Sequence, residues 1–458
     1  MMDMISGDAV NGGAESGETE AESIQFFCKG MAASPFLNDE VDIEVAKDGF
    51  ALSSVTGATR VPWADVKALR FEDYTVHVQT VSGPYTFSKL GREGEPLYAH
   101  MLSAYGDKVR KCLFVKGRPK IKAKGDVNTN GRATAGVPVE VYEDCILSLP
   151  PNLSARRVPL YFANGLRDED YTLTVSVIDG TETVYSKLGY DHAPAADAVR
   201  GALKKLRAKQ LKQLTGLDGS LTDAQASELA KLMPGGLTAP MGAIRGTAPS
   251  FADALGAKIA KSRAAETYKV FQEISGADSV CVGFRVNDLS FGSGGGDSGG
   301  GDSIGSSSGD GDGCGGGSIG SSDSGGGGDL NAEAPTAPQA PDPYMFLIVA
   351  PSPAGDACAL EFAGEADQAA ATFVYRFSGA WDDFRVKLGM ALEAIAWKRE
   401  VIRYTDEELS KPENKDFYMT NERNEALRFV RSCFVGRAIH RSMDSWKTQL
   451  MELLATKN

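Results

Sequence analysis

Few residues in this chain have types and spacings that could do chemistry. The four histidines, His77, His100, His192 and His440, show no metal-ligand or triad spacing among themselves, which leaves them as surface or half-buried side chains. Seven cysteines (28, 112, 145, 281, 314, 358 and 433) are scattered and odd in number. No two have the two-residue spacing of a zinc or redox motif, so free thiols in a reducing, cytoplasmic setting are expected. The acid pairs Glu72-Asp73 and Glu169-Asp170 suggest an acid/base dyad. Chain neighbours at a strand entry point in different directions, however, so the pairs read as turn residues. Nucleophile-elbow, phosphate-loop, zinc-helix and dinucleotide signatures are absent from the sequence. The expectation is a non-enzymatic protein without catalytic residues, metal or cofactor.

Two charged stretches remain. Asp297, Asp302, Asp310, Asp312, Asp323 and Asp329 sit irregularly in a Gly/Ser tract without the apolar position of a calcium-binding repeat, which reads as a solvated tether. Lys116, Arg118, Lys120, Lys122 and Lys124, continuing to Arg132, form the sharper candidate. In an extended conformation Lys120, Lys122 and Lys124 fall on one side, a cationic comb suited to phosphates. The surrounding charge is asymmetric: residues 1–107 hold 7 Lys+Arg against 17 Asp+Glu, residues 108–214 hold 19 against 11, and the whole chain is at -13.

The elements that would position these residues are duplicated. Leu69-Arg70-Phe71-Glu72-Asp73-Tyr74-Thr75 returns as Leu166-Arg167-Asp168-Glu169-Asp170-Tyr171-Thr172, 97 positions on. Val41–Val45 returns as Val137–Val141, Arg60-Val61-Pro62 as Arg157-Val158-Pro159, and Ser88-Lys89-Leu90-Gly91 as Ser186-Lys187-Leu188-Gly189. Phe27-Cys28-Lys29-Gly30 matches Phe114-Val115-Lys116-Gly117 at the shorter shift of 87, which makes 116–132 an enlarged first hairpin loop of the second copy. Tyr74, Val76 and Val78 alternate with polar residues, as do Val41, Ile43 and Val45, which predicts half-buried strands. Leu97, Met101, Leu102 and Tyr105, and later Val199, Leu203, Leu206, Leu211 and Leu214, recur at helical spacing.

Seven short strands closed by one helix resemble the pleckstrin-homology-like superfold. That resemblance implies an α+β chain of tandem antiparallel β-barrels, each closed by a C-terminal helix. It also implies binding rather than catalysis: protein partners at a sheet edge, or anionic lipid or nucleic acid at the hairpin formed by Lys116, Arg118, Lys120, Lys122, Lys124 and Arg132. The intracellular scaffold or adaptor is the first reading, the anion binder its alternative.

Boundaries follow from composition. Residues 1–22 read as a disordered acidic leader, 23–107 and 108–214 as the two modules, and 215–276 as a helical connector. Within the connector, Thr222 and Gln225 have capping-box form, 233–248 reads as loop, and Ser250 opens a second helix. Residues 277–404 read as a diverged third module with a disordered Gly/Ser/Asp insert at 292–343. Residues 405–458 read as a linker and one helix from about 420 to 454, whose apolar face reads as a core or docking face, with self-association as the alternative. No apolar run reaches the length of a membrane span.

Overall fold

A computed structural model describes residues 24–55, 57–286, 344–363 and 371–455. The leader 1–22, the tract 292–343 and its aspartates lie outside the described residues. Those described form an α+β structure with three antiparallel sheets and eleven α-helices. None of these helices is long and apolar enough to cross a membrane.

The first copy comprises β1 (Phe26–Ser34), β2 (Leu37–Val45), β3 (Gly49–Ser54), β4 (Gly57–Pro62), β5 (Val66–Glu72), β6 (Thr75–Thr80), β7 (Gly83–Ser88) and helix α1 (Gly94–Cys112). The second comprises β8 (Ile121–Thr129), β9 (Arg132–Val141), β10 (Cys145–Ser148), β11 (Arg156–Pro159), β12 (Ala163–Glu169), β13 (Thr172–Val177), β14 (Glu182–Ser186) and α2 (His192–Leu217). Their strand orders are the same, β4-β3-β2-β1-β7-β6-β5 and β11-β10-β9-β8-β14-β13-β12. Both carry a bulge at the start of the fifth strand, between Val66 and Ala68 and between Ala163 and Gly165. The alternation holds for Val41, Ile43, Val45, Val76 and Val78, which are buried against Leu97, Met101 and Tyr105 of α1, but Tyr74, expected on the same face, precedes the strand and is exposed.

Closure into barrels is not seen. Each order is linear, with β4 and β5, or β11 and β12, at opposite ends. The chain passes from β4 to β5 through one 3-10 turn, Trp63–Asp65, instead of a hairpin. Trp63 is fully buried there and its indole N–H donates to the Ala46 carbonyl at 3.0 Å, so a side chain fills the corner that strand pairing would have closed.

The repeated motifs encode backbone. Asp73 and Tyr74 have φ of 49° and 58°, and Asp170 and Tyr171 have 49° and 57°, so each Glu-Asp-Tyr-Thr is a hairpin turn of the type that needs two left-handed residues. The acid pairs are therefore turn residues. The match of Phe27–Gly30 to Phe114–Gly117 is corrected. A Cβ on Gly30 would lie 2.6 Å from Leu90 Cδ2, and one on Gly125 would lie 2.7 Å from Leu188 Cδ2. Gly125 is thus the counterpart of Gly30, at a shift of 95, and both glycines are required where the Ser-Lys-Leu-Gly segment crosses the first strand.

After α2 the chain forms α3 (Asp223–Leu232), β15 (Ala239–Pro240), α4 (Met241–Thr247), α5 (Pro249–Ala260), α6 (Ala265–Ser275) and β16 (Cys281–Val286). Thr222 and Gln225 make the expected capping box. Two expectations fail here. The presumed loop contains α4, which buries only Met241 and Ile244 and is too short to show a period. The second helix starts at Pro249, with Ala248 at the cap, and is broken between Ala260 and Ala265.

The third sheet adds β17 (Tyr344–Pro351), β18 (Ala357–Ala363), β19 (Ala371–Arg376) and, far along the chain, β20 (Phe434–Ile439), in the order β15-β16-β17-β18-β19-β20. Between β19 and β20 lie α7 (Trp381–Ala394), α8 (Asp406–Ser410), α9 (Lys415–Arg423) and α10 (Glu425–Ser432); α11 (Met443–Ala455) follows β20. The single helix expected over 420–454 is therefore wrong. Asn424 accepts from the Leu427 N–H at 2.8 Å and starts a new helix, and Phe434–Ile439 extends as a sheet edge, with Ala438 buried. Of its apolar face, Leu427, Val430, Trp446 and Leu450 are buried, in line with the core reading, while Met443 is exposed.

By compactness the chain divides in two: Met1–Lys212, Ala354–Cys358 and Val374–Gly436 form one unit, and Gln213–Pro353, Ala359–Phe373 and Arg437–Asn458 the other. The two duplicated sheets and α7 to α10 belong to the first.

Candidate anion-binding cleft

The six basic residues singled out by sequence do not converge. Lys116 and Arg118 fall in the link between α1 and β8. Lys120 precedes β8 and pairs with Glu143 at 2.8 Å. Lys122 and Lys124 are exposed on one face of β8, as alternation required, and Lys122 Nζ lies 3.9 Å from Glu140. Lys122 and Lys124 are strand, then, and not a hairpin loop: the hairpin tip is Asn130-Gly131, with φ of 48° and 83°. Arg132 follows it, paired in register with Thr129. At about 3.3 Å per residue, Lys122 and the Arg132 end of the strand pair are about 23 Å apart.

Of the six, Arg132 lines a cleft. A cleft of about 410 Å³ opens at the hairpin ends of the second sheet, against α7 and the start of α10. Its cationic lining is Arg132, Arg156, Arg157, Lys387 and Arg423, and its acids are Asp179, Asp383, Glu393 and Glu425. Most acids are already engaged. Glu393 pairs with Arg157, and Asp383 with Lys387 at 2.9 Å. Asp179 accepts from its own turn at Thr181. Arg132 and Arg156 make no ion pair among the described residues, leaving them and Arg423 against Glu425.

Two guanidinium groups are built into the wall. The Arg157 side chain is 8 % exposed and held by Asp144 at 3.0 Å and by Glu393. Burial opposes its charge, but Glu393 and Asp144 outweigh that and hold its pKa above the ordinary arginine value. Arg423 is 7 % exposed; it donates from Nη1 to the Met419 carbonyl at 3.0 Å and from Nη2 to the Tyr105 hydroxyl at 2.7 Å. In both residues the Nε–H is buried and has no hydrogen-bond partner. An unsatisfied buried donor costs about 1–3 kcal/mol. Asn424 and Glu425 also line the cleft, so the first N–H groups of α10 stand at its edge.

The sequence missed Arg156, Arg157, Lys387 and Arg423. Arg156-Arg157 lies inside a repeat block and Asn424 is a plain N-cap, but nothing local in a sequence brings residues 156 and 423 together.

Other constellations are less suited to a ligand. His192 Nε2 meets Asp168 Oδ1 at 2.8 Å, and Arg200 also pairs with Asp168, whose carboxyl those two hydrogen bonds hold below its usual range. Glu361, Thr372 and Trp446 are buried and form a network with the partly exposed His440, the Trp446 indole donating to Thr372 Oγ1 at 2.9 Å. Among the described residues no group of three or more His, Cys, Asp or Glu is placed to hold a metal ion. No protein-family model matches this sequence, and no curated protein matches it.

Proposed function

We propose that this chain is a non-enzymatic scaffold or adaptor built on two tandem pleckstrin-homology-like modules, the second of which takes an anionic ligand into its cleft. The modular reading is supported by two sheets of the same strand order, each followed by a helix. The ligand reading is carried by one observation: the two guanidinium groups in the cleft wall that are nine-tenths buried and keep an unused donor. Arg132 and Arg156 add charge that no ion pair among the described residues neutralises. A comb of lysines on an open strand face offers no such convergence, and each exposed pair there contributes little.

The test uses the full chain and inorganic pyrophosphate at low salt, with anionic phospholipid vesicles as a second arm. Binding to pyrophosphate, weakened at least tenfold in Arg132→Ala/Arg156→Ala and unchanged in Lys120→Glu/Lys122→Glu/Lys124→Glu, supports the cleft. Loss in the lysine variant with retention in the arginine variant overturns it. Vesicle binding without pyrophosphate binding moves the site to a surface.

The adaptor reading has its own support. The edge of the first sheet already accepts an extended proline-containing segment: the Leu69 N–H donates to the Pro151 carbonyl at 2.9 Å, beside a bridge between Ala68 and Asn152.

A further inference from the structure

The contact between the two copies is not symmetric. The edge of the first copy, β5, receives the β10–β11 loop of the second, so different surfaces meet. Leu69 is 1 % exposed beneath that loop, and the cores run together through Leu147, Leu149 and Ala155. A contact of this head-to-tail kind between repeated modules leaves one surface of each type unused at the ends.

Both unused surfaces can be identified. The counterpart of Leu69 is Leu166 on β12. Leu69 faces Val78 and Leu166 faces Val175 in the same register, so the Leu166 N–H points outward from the sheet edge like that of Leu69. It has no partner among the described residues, and the Leu166 side chain is half-exposed. The counterpart of Pro151, counted from the strand before it, is Val55, which is 98 % exposed. Charge agrees: residues 23–107 hold 7 Lys+Arg against 11 Asp+Glu, whereas residues 108–214 hold 19 against 11. The within-chain contact also carries a charge pair, Arg110 of α1 with Glu140 of β9 at 2.8 Å. Glu44, the counterpart of Glu140, has no ion pair among the described residues, but α2 has Ala208 where α1 has Arg110, so complementarity between chains rests on the overall charge of the two copies.

We infer that a second copy of this chain docks head-to-tail, its Val55 turn on the Leu166 edge, repeating between chains the contact made within one. Ala51 and Ser53 stand where the within-chain contact has Leu147 and Leu149, so the contact between chains is the weaker of the two and is salt-sensitive. Because each chain offers one surface of each kind, association is open-ended and not limited to a dimer.

Sedimentation of the full chain at low salt tests this. The wild-type average mass rises with concentration past twice the monomer, and the Leu166 amide gains protection from hydrogen exchange as it does. Val55→Glu and Leu166→Glu are each monomeric alone, yet mixed in equal amounts they form a one-to-one dimer, since each retains the surface the other lacks. A wild type that stays monomeric at the highest concentration overturns the inference. So does an association that Val55→Glu, an exposed change that cannot disturb the core, leaves intact.

Discussion

Arg60 and Arg157 occupy the same place in the two copies and have different surroundings. Each pairs with the acid at the matching position, Asp48 at 2.7 Å in the first copy and Asp144 at 3.0 Å in the second. Arg60 and Asp48 are both about half exposed, whereas Arg157 is buried and gains Glu393 from α7. The ends of the strands differ in the same way. In the first copy they carry exposed Phe36, Val55 and Val81; in the second, the polar Asn130, Asp179 and Thr181 line a cleft walled by α7 and α10. Duplication supplied two similar frames, and α7 and α10, which lie between β19 and β20, wall a cleft on one of them.

That contrast can be broken by matched substitutions, the largest effect first. Arg157→Ala strands Asp144 and Glu393 and costs about 3–5 kcal/mol, while Arg60→Ala costs under about 1 kcal/mol, compared by denaturant melts. Arg110→Ala costs about 3 kcal/mol, because it exposes the Glu140 carboxylate to a burial penalty with only Tyr142, whose hydroxyl donates at 2.6 Å, and distant Lys122 left to offset it.

The same residue sets a pH dependence. Burial raises the Glu140 pKa, but hydrogen bonds from Arg110 and Tyr142 lower it more, so it lies below the usual carboxylate value. Its stabilisation is present above the unfolded value, about 4.3, and is lost as pH falls through the folded one. Arg110→Ala therefore moves the acid-unfolding midpoint upward.

Gly125→Ala costs about 1–3 kcal/mol through contact with the Ser186 carbonyl oxygen at 2.5 Å and Leu188, and Gly30→Ala less, since the matching Ser88 carbonyl lies further off, at 3.0 Å, and its closest neighbour is a Leu90 methyl. Tyr74→Gly stabilises by about 0.5–1 kcal/mol by relieving an exposed left-handed tyrosine, and Tyr171→Gly by less, because the Tyr171 ring meets His192 edge-on at 6.1 Å. The smallest effect sharpens the site: Glu425→Gln tightens anion binding about threefold by removing the acid that opposes it.

Much of the frame was legible in the sequence. Period-two patterns located β2 and β6, and the Glu-Asp-Tyr-Thr repeat marked a turn because its geometry depends on neighbouring residues alone. Thr222 and Gln225 fixed a helix start for the same reason. The first-strand match failed because four residues resembling Phe27–Gly30 recur easily, while the close approach that singles out Gly125 depends on Leu188, distant in sequence. Residues 434–439 were read as helix because the demand for an edge strand comes from the sheet. The cleft was invisible for a related cause. Arg132, Arg156 and Arg423 are brought together by tertiary packing, and the lysine run stood out only because its charges are contiguous.

A crystal soaked in tungstate, a heavy stand-in for phosphate, tests the central claim most directly. The account predicts an anomalous peak in the cleft within hydrogen-bonding reach of Arg132, Arg156 or the Nε of Arg423. A peak over Lys122 and Lys124 on the open face of β8, with the cleft empty, would contradict it.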